Sequence, residues 1–339
     1  MREPRVCYHS DTYQSHKRAA GPYQEVIASH FETATQIQDA NIVILHREPH
    51  NFKSLYEQIP LLRDKYVISY AVWEAYPLPA EYARSLSLVQ EVWTCSEYCR
   101  KIIAEHHDNV RVIPHIVERD PQIDDIDSVL IKRLVNFTAE RFYFLCIART
   151  LGFRKNLDFL VDTFLSIAPE MPSSRLLIKS LASDPKPSWK HPQVELLPLT
   201  LSDSQINVLY SLANAYVSAH HSEGWGLTLS DAMLLGIPVI ATGYSGNLEF
   251  MDSTNSFLID AKEAYIDPSE CIGKFTPEMK WGIPDGNMLA SVMKGMYDGT
   301  LRNEALVRSR EARESCRRFS RQSVAELLID RIKAISVSA

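Results

Sequence analysis

Short apolar runs alternate with longer stretches of helical period along most of the 339-residue chain. This alternation is typical of β-α units, in which helices join neighbouring parallel strands. In the first block, strands are predicted at 6–8, 41–45, 66–69, 91–94 and 110–113. A helix is predicted over 98–104, with Ser96 in position to act as its N-cap.

A polar, acidic stretch at 118–127 interrupts the pattern and is predicted to be a linker or surface loop. In the second block, strands are predicted at 143–147, 175–179, 194–197, 215–218, 238–241 and 256–259, with a helix over 157–167 and a helical tail from 286 to 335. Two successive blocks favour two Rossmann-like domains, and one large domain is the alternative. We expect an N-terminal domain over 1–120, a linker region over 121–140, a second domain over 141–315, and a C-terminal helix over 316–339 that packs back on the first domain.

Composition and charge narrow the class of protein. The chain is 45% hydrophobic and 23% charged, as is usual for globular proteins, and its net charge of -6 argues against a nucleic-acid partner. It has no apolar run long enough to span a membrane and no apolar stretch at its start that would serve as a signal peptide, so a cytoplasmic location is expected. Cys95 and Cys99 could be read as a metal pair, but no second Cys/His pair follows them.

The most informative stretch is 220–252. Glu223 lies just beyond a predicted strand, at the edge of the sheet where ligands bind in open α/β folds. Gly224 and Gly226 let the backbone approach a ligand closely, and a helix is predicted from 228 to 235, ending at Gly236. The N–H groups at the start of that helix form a natural phosphate site, and Asp231 lies one turn further on.

Glu223 and Asp231 are separated by seven residues in the stretch EGWGLTLSDAMLLGIPVIA. This resembles the E-x7-E signature of retaining glycosyltransferase family 4. Three other segments are similar to that family: CIARTLGFRKN at 146–156, the glycine loop GYSGN at 243–247, and Trp281 with Pro284 and Asp285. Asp231 departs from the pattern, because the family has Glu there and the Asp carboxylate is shorter by one methylene. The resemblance is clear over 142–285 and weaker before it.

The resemblance implies a GT-B fold, in which two Rossmann-like domains face each other across a cleft. It implies a glycosyltransferase that moves a hexose from a nucleotide-diphosphate sugar to an acceptor hydroxyl with retention, in glycan or polysaccharide biosynthesis. Glu223 would bind the hexose, Arg149 and Lys155 would bind the diphosphate, Asp231 would hold the ribose, and Arg154 is the less favoured phosphate ligand. The residues expected to complete the donor site are Gly224, Trp225, Gly226, Leu227, Thr228, Ser245, Gly246, Asn247 and Leu248.

The N-terminal half is expected to hold the acceptor, with His9, Gly21, Trp73 and Glu74 as candidate contacts at strand ends and loops. His115 is interpreted as a core or hinge histidine rather than a catalytic one. The stretch around Glu223 has no Asp-x-Asp metal motif, so we expect no metal cofactor. The expected partners are a nucleotide sugar, a glycan, lipid-linked or small-molecule acceptor, and the inner face of a membrane through peripheral contact. The oligomeric state is left open.

The sequence leaves three other functions open. A sugar-nucleotide epimerase would process the donor without an acceptor. A binding partner without catalytic activity would keep the fold and the nucleotide site. A nicotinamide dehydrogenase is disfavoured because no G-x-G-x-x-G follows the first predicted strand, where Gly21 stands alone.

Overall fold

The computed structural model of the chain describes residues 4–11 and 13–338. They divide into two compact units: the first contains the described residues up to 117 together with those from 317 onward, and the second spans 118–316. The chain therefore completes the first unit with its last helix.

The strands, in chain order, are β1 (Arg5–Ser10), β2 (Glu32–Thr33), β3 (Ile42–His46), β4 (Tyr66–Tyr70), β5 (Glu91–Thr94), β6 (Val110–Val112), β7 (Phe142–Ile147), β8 (Ser174–Ser180), β9 (Val194–Pro198), β10 (Ala215–Ser218), β11 (Val239–Thr242), β12 (Phe257–Ile259), β13 (Ala261–Tyr265) and β14 (Lys280–Pro284). The α-helices are α1 (Gln14–His30), α2 (Phe52–Gln58), α3 (Ala80–Leu86), α4 (Glu97–Ala104), α5 (Asp125–Leu134), α6 (Leu157–Ile167), α7 (Asp203–Leu212), α8 (Leu227–Leu234), α9 (Gly286–Asp298), α10 (Arg302–Cys316) and α11 (Arg321–Ser338).

The first unit is built on a parallel sheet with the strand order β2-β1-β3-β4-β5-β6. All five residues of β3 are buried, and the first four, Ile42 to Leu45, form a continuous apolar run in the sequence, as is typical of a strand covered on both faces. Helix α11 packs against α1 and is tied to the sheet by Arg331, whose guanidinium Nε donates to Glu91 Oε1 at 2.8 Å. The Glu91 side chain is fully buried, so this ion pair fixes the last helix to β5.

The second unit contains a parallel sheet with the order β12-β11-β10-β7-β8-β9, which is the Rossmann order, and an antiparallel β13–β14 hairpin. A buried core joins this sheet to its helices and includes Phe144, Leu160, Phe164, Leu176 and Val217. Burying such side chains contributes about 1.5–3 kcal/mol each. This core fixes the ends of the strands from which the loops of the site emerge.

The predicted α/β architecture with two Rossmann-like sheets is confirmed. Several strands and helices agree closely with the sequence pattern, including α6, β5 and β10, and Ser96 caps α4 by accepting from the N–H of Cys99. The structure differs from the sequence analysis in three places. The region 121–140 contains α5, which packs on α7; Gly21 lies inside α1 rather than in a loop; and the β13–β14 hairpin was not predicted.

In the part of the chain that the structure describes, no helix is both long and apolar enough to cross a membrane.

Candidate active site

The candidate site lies at the carboxyl edge of the second unit's sheet. From β7 the chain proceeds through β8 and β9 on one side, and then β10, β11 and β12 extend the sheet on the other. The strand order therefore reverses between the neighbours β7 and β10. Ligands of open α/β sheets bind in the crevice at such a reversal, outside the carboxyl ends of the strands. The loops after β7, β10 and β11 lie at this edge.

Glu223, in the loop after β10, joins the two cations of the loop after β7. One carboxylate oxygen accepts a hydrogen bond from Arg154 Nη1 at 2.9 Å, and the other accepts one from Lys155 Nζ. Arg154 also donates to the Ser222 carbonyl oxygen at 2.7 Å, and its own carbonyl accepts from the N–H of His221 at 2.8 Å. Glu223, predicted to bind the hexose, and Lys155, predicted to bind the diphosphate, are thus in direct contact. Arg154, the less favoured phosphate ligand, belongs to the same cluster.

The electrostatics of Glu223 follow from this pairing. The residue is only 6% exposed, and burial alone would raise its pKa. The positive charges of Lys155 and Arg154 outweigh that effect and hold the pKa of the carboxyl well below its ordinary value. Glu223 is therefore ionised, and an incoming anion must compete with it for the two cations.

Two histidines, His220 and His221, stabilise the loop that carries Glu223. The ring of His220 lies between Ser218 Oγ and Asn247 Oδ1, at 3.0 and 3.2 Å, and burial lowers its pKa to about 4. The ring of His221 stacks on Trp281 of the β13–β14 hairpin, with centroids 4.5 Å apart and planes 9° apart. Both rings therefore stabilise the loop.

The glycine loop after β11 packs directly against the Glu223 loop. The N–H of Glu223 donates to Ser245 Oγ at 2.8 Å, and the N–H of Gly246 donates back to the Glu223 carbonyl at 2.8 Å. A Cβ at Gly246 would overlap the carbonyl oxygen of Gly224, so only glycine permits this approach. Gly226 has a φ of 97° at the N-cap of α8, a conformation that also favours glycine.

The backbone N–H groups of the predicted donor residues at 245–248 are only partly available to a ligand. The N–H of Gly246 is taken by Glu223, and the N–H of Leu248 donates to the Ser245 carbonyl at 3.1 Å. Asn247 is buried, and its amide donates to the Thr242 carbonyl at 3.0 Å. The tight turn therefore satisfies the N–H groups of Gly246 and Leu248 internally.

Two other predicted donor residues pack inward. Trp225 is buried against Phe250, with ring centroids 4.8 Å apart. The hydroxyl of Tyr216 donates to Thr228 Oγ1 at 2.8 Å, which fixes the first turn of α8 that begins at Leu227. These contacts hold the start of the helix in place at the edge of the sheet.

Arg149 is not part of the Glu223 cluster. Its Nε and Nη2 both donate to Asp184 Oδ1, at 2.9 and 2.7 Å, and the N–H of Thr150 donates to the other oxygen. Burial alone would raise the pKa of the Asp184 carboxyl, but these hydrogen bonds and the Arg149 charge lower it. The Arg149 side chain remains one-third exposed at the start of the loop after β7.

Asp231 is buried on α8 and is paired with a residue that the sequence analysis did not single out. Its Oδ2 accepts a hydrogen bond from Arg119 Nη1 at 3.1 Å, and both side chains are almost fully buried. Arg119 follows the start of the second unit at Glu118.

The candidate acceptor residues of the first unit differ in their surroundings. His9 lies near the carboxyl end of β1 and is partly buried, and Glu74 is partly buried in the segment after β4. Trp73 is buried, with its ring nitrogen donating to the Pro77 carbonyl at 3.3 Å, so it packs as a core residue. Gly21 lies inside α1 and not in a loop, contrary to the prediction. His115 is a core histidine, 3.2 Å from the Tyr70 hydroxyl, and burial lowers its pKa to about 3.

The sequence analysis missed Arg119, Asp184 and His220 as parts of the site or its supports. His220 is the first residue of the stretch 220–252 and could have been flagged by its position three residues before Glu223. Arg119 and Asp184 gave no local signal, because their partners lie 112 and 35 residues away in the chain. Among residues 4–11 and 13–338, no group of three or more His, Cys, Asp or Glu side chains is placed to hold a metal ion.

Solved structures with the same fold cover nearly the whole chain. Alr3699/HepE from Anabaena, determined in complex with UDP and glucose, is 12% identical, with a TM-score of 0.68 over 98% of this chain and 100% of that one. A glycosyltransferase from Rickettsia africae is 14% identical, with a TM-score of 0.67 over 99% of each chain. WaaG, a glycosyltransferase involved in lipopolysaccharide biosynthesis, is 13% identical, with a TM-score of 0.65 over 97% of this chain and 99% of that one. No curated protein matches the chain in sequence.

These likenesses show that the chain has the fold of GT-B glycosyltransferases. Residues 141–269 match the family described as Glycosyl transferases group 1. The candidate site lies inside the range that matches this family, since the range contains Arg149, Lys155, Glu223, Asp231 and the glycine loop. The chain is accordingly a glycosyltransferase in class, as the resemblance predicted.

Proposed function

We propose that the protein is a metal-independent, retaining hexosyltransferase of family 4 that uses a nucleotide-diphosphate sugar. The observation that carries this proposal is the contact of Glu223 with Arg154 and Lys155 at the strand reversal between β7 and β10. The acid can accept hydrogen bonds from hydroxyls, and the two cations can bind phosphate. They meet at the crevice where open parallel sheets bind their ligands.

The diphosphate is proposed to bind at Lys155, beside the start of α8. As the glycosidic bond breaks, negative charge grows on the departing phosphate, and the lysine and the helix N-terminus stabilise it. Arg149 adds a fork of donors from the edge of the loop, while Asp184 holds that fork in one orientation. These cations take the role that a metal ion has in other transferases, so the proposed reaction needs none.

Glu223 is proposed to accept hydrogen bonds from the hexose hydroxyls once the diphosphate has drawn Lys155 away from it. The bond between the anomeric carbon and the phosphate oxygen breaks, and the acceptor oxygen attacks from the same face. The acceptor proton passes to the departing phosphate oxygen. Configuration at the anomeric carbon is thereby retained without a second carboxylate acting as nucleophile.

The acceptor is proposed to bind the first unit, where His9 and Glu74 are the partly exposed candidates. A glycan, a lipid-linked sugar or a small molecule would serve, and the setting is glycan or polysaccharide assembly in the cytoplasm, with peripheral contact at a membrane. WaaG, which has the same fold, is involved in lipopolysaccharide biosynthesis.

The proposal is tested first by ligand binding and then by product analysis. The thermal unfolding temperature is measured with UDP, GDP and ADP and with their hexose conjugates, because a ligand that binds only the folded state raises it. The best conjugate is then incubated with a panel of acceptor sugars, and the anomeric configuration of the product is determined by NMR.

We expect one nucleotide family to stabilise the protein and the product to keep the donor's anomeric configuration. An inverted product contradicts retention. Isomerised donor formed without any acceptor supports an epimerase instead. Binding without turnover for every donor and acceptor supports a partner that lacks catalytic activity. Transfer that is abolished by EDTA and restored by a divalent ion contradicts metal independence.

A further inference from the structure

The sheet of the first unit has a strand reversal of its own. From β1 the chain adds β2 on one side and then β3 on the other, so the order changes direction between the neighbours β1 and β3. Ser10 and His46 are partners at the last register position of this pair. Asp11 and Arg47 therefore begin two adjacent loops at the carboxyl edge, where open α/β sheets bind their ligands. The donor site proposed above uses no residue of these loops.

Residues of both loops line one cavity of about 200 Å³. The lining consists of Asp11, Tyr13, His16, Arg47, Glu48 and His50. Pockets for drug-sized ligands usually measure about 300–1,000 Å³, so this cavity suits a single sugar ring better than an oligosaccharide. Its lining residues differ from the acceptor candidates His9, Trp73 and Glu74.

Two acid–histidine pairs form much of the lining. Asp11 Oδ1 lies 3.0 Å from His16 Nδ1. Glu48 Oε2 lies 3.3 Å from His50 Nδ1 and accepts a hydrogen bond from the Tyr82 hydroxyl at 2.8 Å. A neutral histidine that donates through Nδ1 keeps its second ring nitrogen as an acceptor. The two pairs thus provide carboxylate oxygens and imidazole nitrogens that can accept hydrogen bonds from hydroxyls.

Arg47 and Tyr13 supply what these pairs lack. Among the residues that the structure describes, none accepts a hydrogen bond from the Arg47 guanidinium or forms an ion pair with it, so its N–H groups are available to a ligand. Tyr13 is 49% exposed, and its ring meets the His16 ring edge-on, with centroids 5.2 Å apart. An exposed aromatic ring offers an apolar surface to the C–H face of a sugar.

The charges of the cavity disfavour an anionic ligand. As carboxylates, Asp11 and Glu48 bring two negative charges, whereas Arg47 brings one positive charge. With the histidines neutral, a phosphate or a sugar carboxylate meets one cation and two acids, and the like charges repel it. A hydroxyl group can donate to a carboxylate and accept from the guanidinium. A neutral sugar is therefore the ligand that matches this set of groups.

We propose that this cavity binds the acceptor of the transferase, and that the part of the acceptor recognised there is a neutral hexose ring. The inference rests on the proposed function, because it takes the bound sugar to be a glycosyl acceptor. Asp11 and Glu48 accept hydrogen bonds from the sugar hydroxyls, and Arg47 donates to the sugar oxygens. The Tyr13 ring covers one face of the sugar, while His16 keeps the Asp11 carboxylate in one orientation.

The test measures sugar binding to the full chain. Dissociation constants are determined at pH 7.5 by ligand-observed NMR for the methyl glycosides of glucose, galactose, mannose and N-acetylglucosamine, and for glucuronic acid and glucose 6-phosphate. We expect the wild type to bind at least one neutral glycoside, and to bind both acidic sugars about threefold or more less tightly than that glycoside, because of the repulsion by the two acids. A saturating nucleoside diphosphate should not displace the neutral glycoside.

Two substitutions should change the discrimination in opposite directions. Asp11→Asn should weaken binding of the neutral glycoside about tenfold, the scale of a hydrogen bond to a charged group, and should reduce the discrimination against acidic sugars. Arg47→Gln should also weaken the neutral glycoside, but it should increase the discrimination, because it removes the cation. If Asp11→Asn does not fold, Glu48→Gln decides, since its side chain is half exposed and its expected effects have the same direction.

The matched controls are Asp64→Asn and Arg63→Gln. Both residues are exposed and lie in the 3₁₀ turn Pro60–Asp64, which precedes β4 at the opposite edge of the sheet. These substitutions remove the same charges from the same unit, so a general effect of charge would change binding here as well. We expect the controls to keep the wild-type affinity for every sugar.

The outcomes separate this inference from the proposed function. If the wild type binds a nucleotide but no neutral glycoside, or binds an acidic sugar as tightly as the best neutral one, the inference alone is wrong. It is also wrong if a nucleoside diphosphate displaces the sugar, or if the folded variants of the cavity keep the wild-type affinities. A wild type that binds no nucleotide refutes the proposed function, and with it the assignment of the sugar as an acceptor.

Discussion

Replacing Glu223 by Gln should have opposite effects on nucleotide binding and on sugar transfer. Glu223 lies between Lys155 and Arg154, so the cluster carries two positive charges and one negative charge. The substitution removes the negative charge and nearly preserves the shape. A nucleoside diphosphate then meets two cations without competition from the carboxylate, whereas the hexose loses its strongest hydrogen-bond acceptor.

The magnitudes follow from elementary electrostatics. One unit charge at about 6 Å from a phosphate is worth about 0.7–2.8 kcal/mol for effective dielectric constants of about 80 to 20. The two cations are about one-fifth exposed, at 22% for Arg154 and 21% for Lys155, so a value of about 1 kcal/mol is reasonable. Affinity for the free diphosphate should therefore rise about fivefold. Transfer should fall about a hundredfold or more, the usual cost of losing an oriented polar group in an active site.

The assay pairs calorimetry of the nucleoside diphosphate with transfer rates measured at saturating donor. Glu170→Gln is the control, because Glu170 also pairs with a lysine, Lys294, but outside the glycosyltransferase loops. It should change neither quantity. Weaker diphosphate binding in a folded Glu223→Gln protein would refute the competition described here, and a transfer rate close to wild type would remove Glu223 from the site.

Gly246→Ala should destabilise the protein and abolish most transfer, because its Cβ would overlap the Gly224 carbonyl. Gly21 lies inside α1 with open space around it, so Gly21→Ala should instead stabilise the protein by about 0.5–1 kcal/mol and keep full activity. Chemical denaturation and transfer rates check both, and equal effects of the two alanines would contradict the reasoning. Burial lowers the pKa of His115 to about 3, whereas the pKa of the same residue in the unfolded chain is about 6.5. As pH falls below about 6.5, the unfolded chain therefore binds a proton at His115 that the folded chain does not bind. Stability should therefore decline from pH 7 to pH 4, and melting curves of His115→Phe should decline less; identical pH slopes would be inconsistent with this account.

The strands of the two sheets were predictable because a parallel strand covered on both faces is a continuous apolar run. The four apolar residues that begin β3, Ile42 to Leu45, are an example. Helix α6 was predictable because its apolar positions have helical spacing. Helix α5 was missed because its start is acidic and several of its apolar side chains, including Ile126 and Val129, are exposed, so the segment resembles a loop.

The site was predictable as far as its residues are close in sequence or follow a known spacing. Glu223 and Lys155 come from different loops, and the prediction that they serve one ligand is consistent with their direct contact. The partners of Arg149 and Asp231 were not predictable, because ion pairs such as Arg119–Asp231 form between distant parts of the chain and leave no periodic signal. The internal use of the Gly246 and Leu248 amides was likewise hidden, since the same glycine loop suits a tight turn and a phosphate nest alike.

The central claim is that Lys155 binds the diphosphate of a nucleotide sugar. Calorimetry of the tightest nucleoside diphosphate with Lys155→Ala tests it most directly, with Lys294→Ala as the control because Lys294 also forms a pair with a glutamate, Glu170. We predict that Lys155→Ala binds at least about tenfold more weakly, the scale of a charge-assisted contact with phosphate, and that the control binds as the wild type does. A folded Lys155→Ala protein with wild-type affinity would contradict the claim.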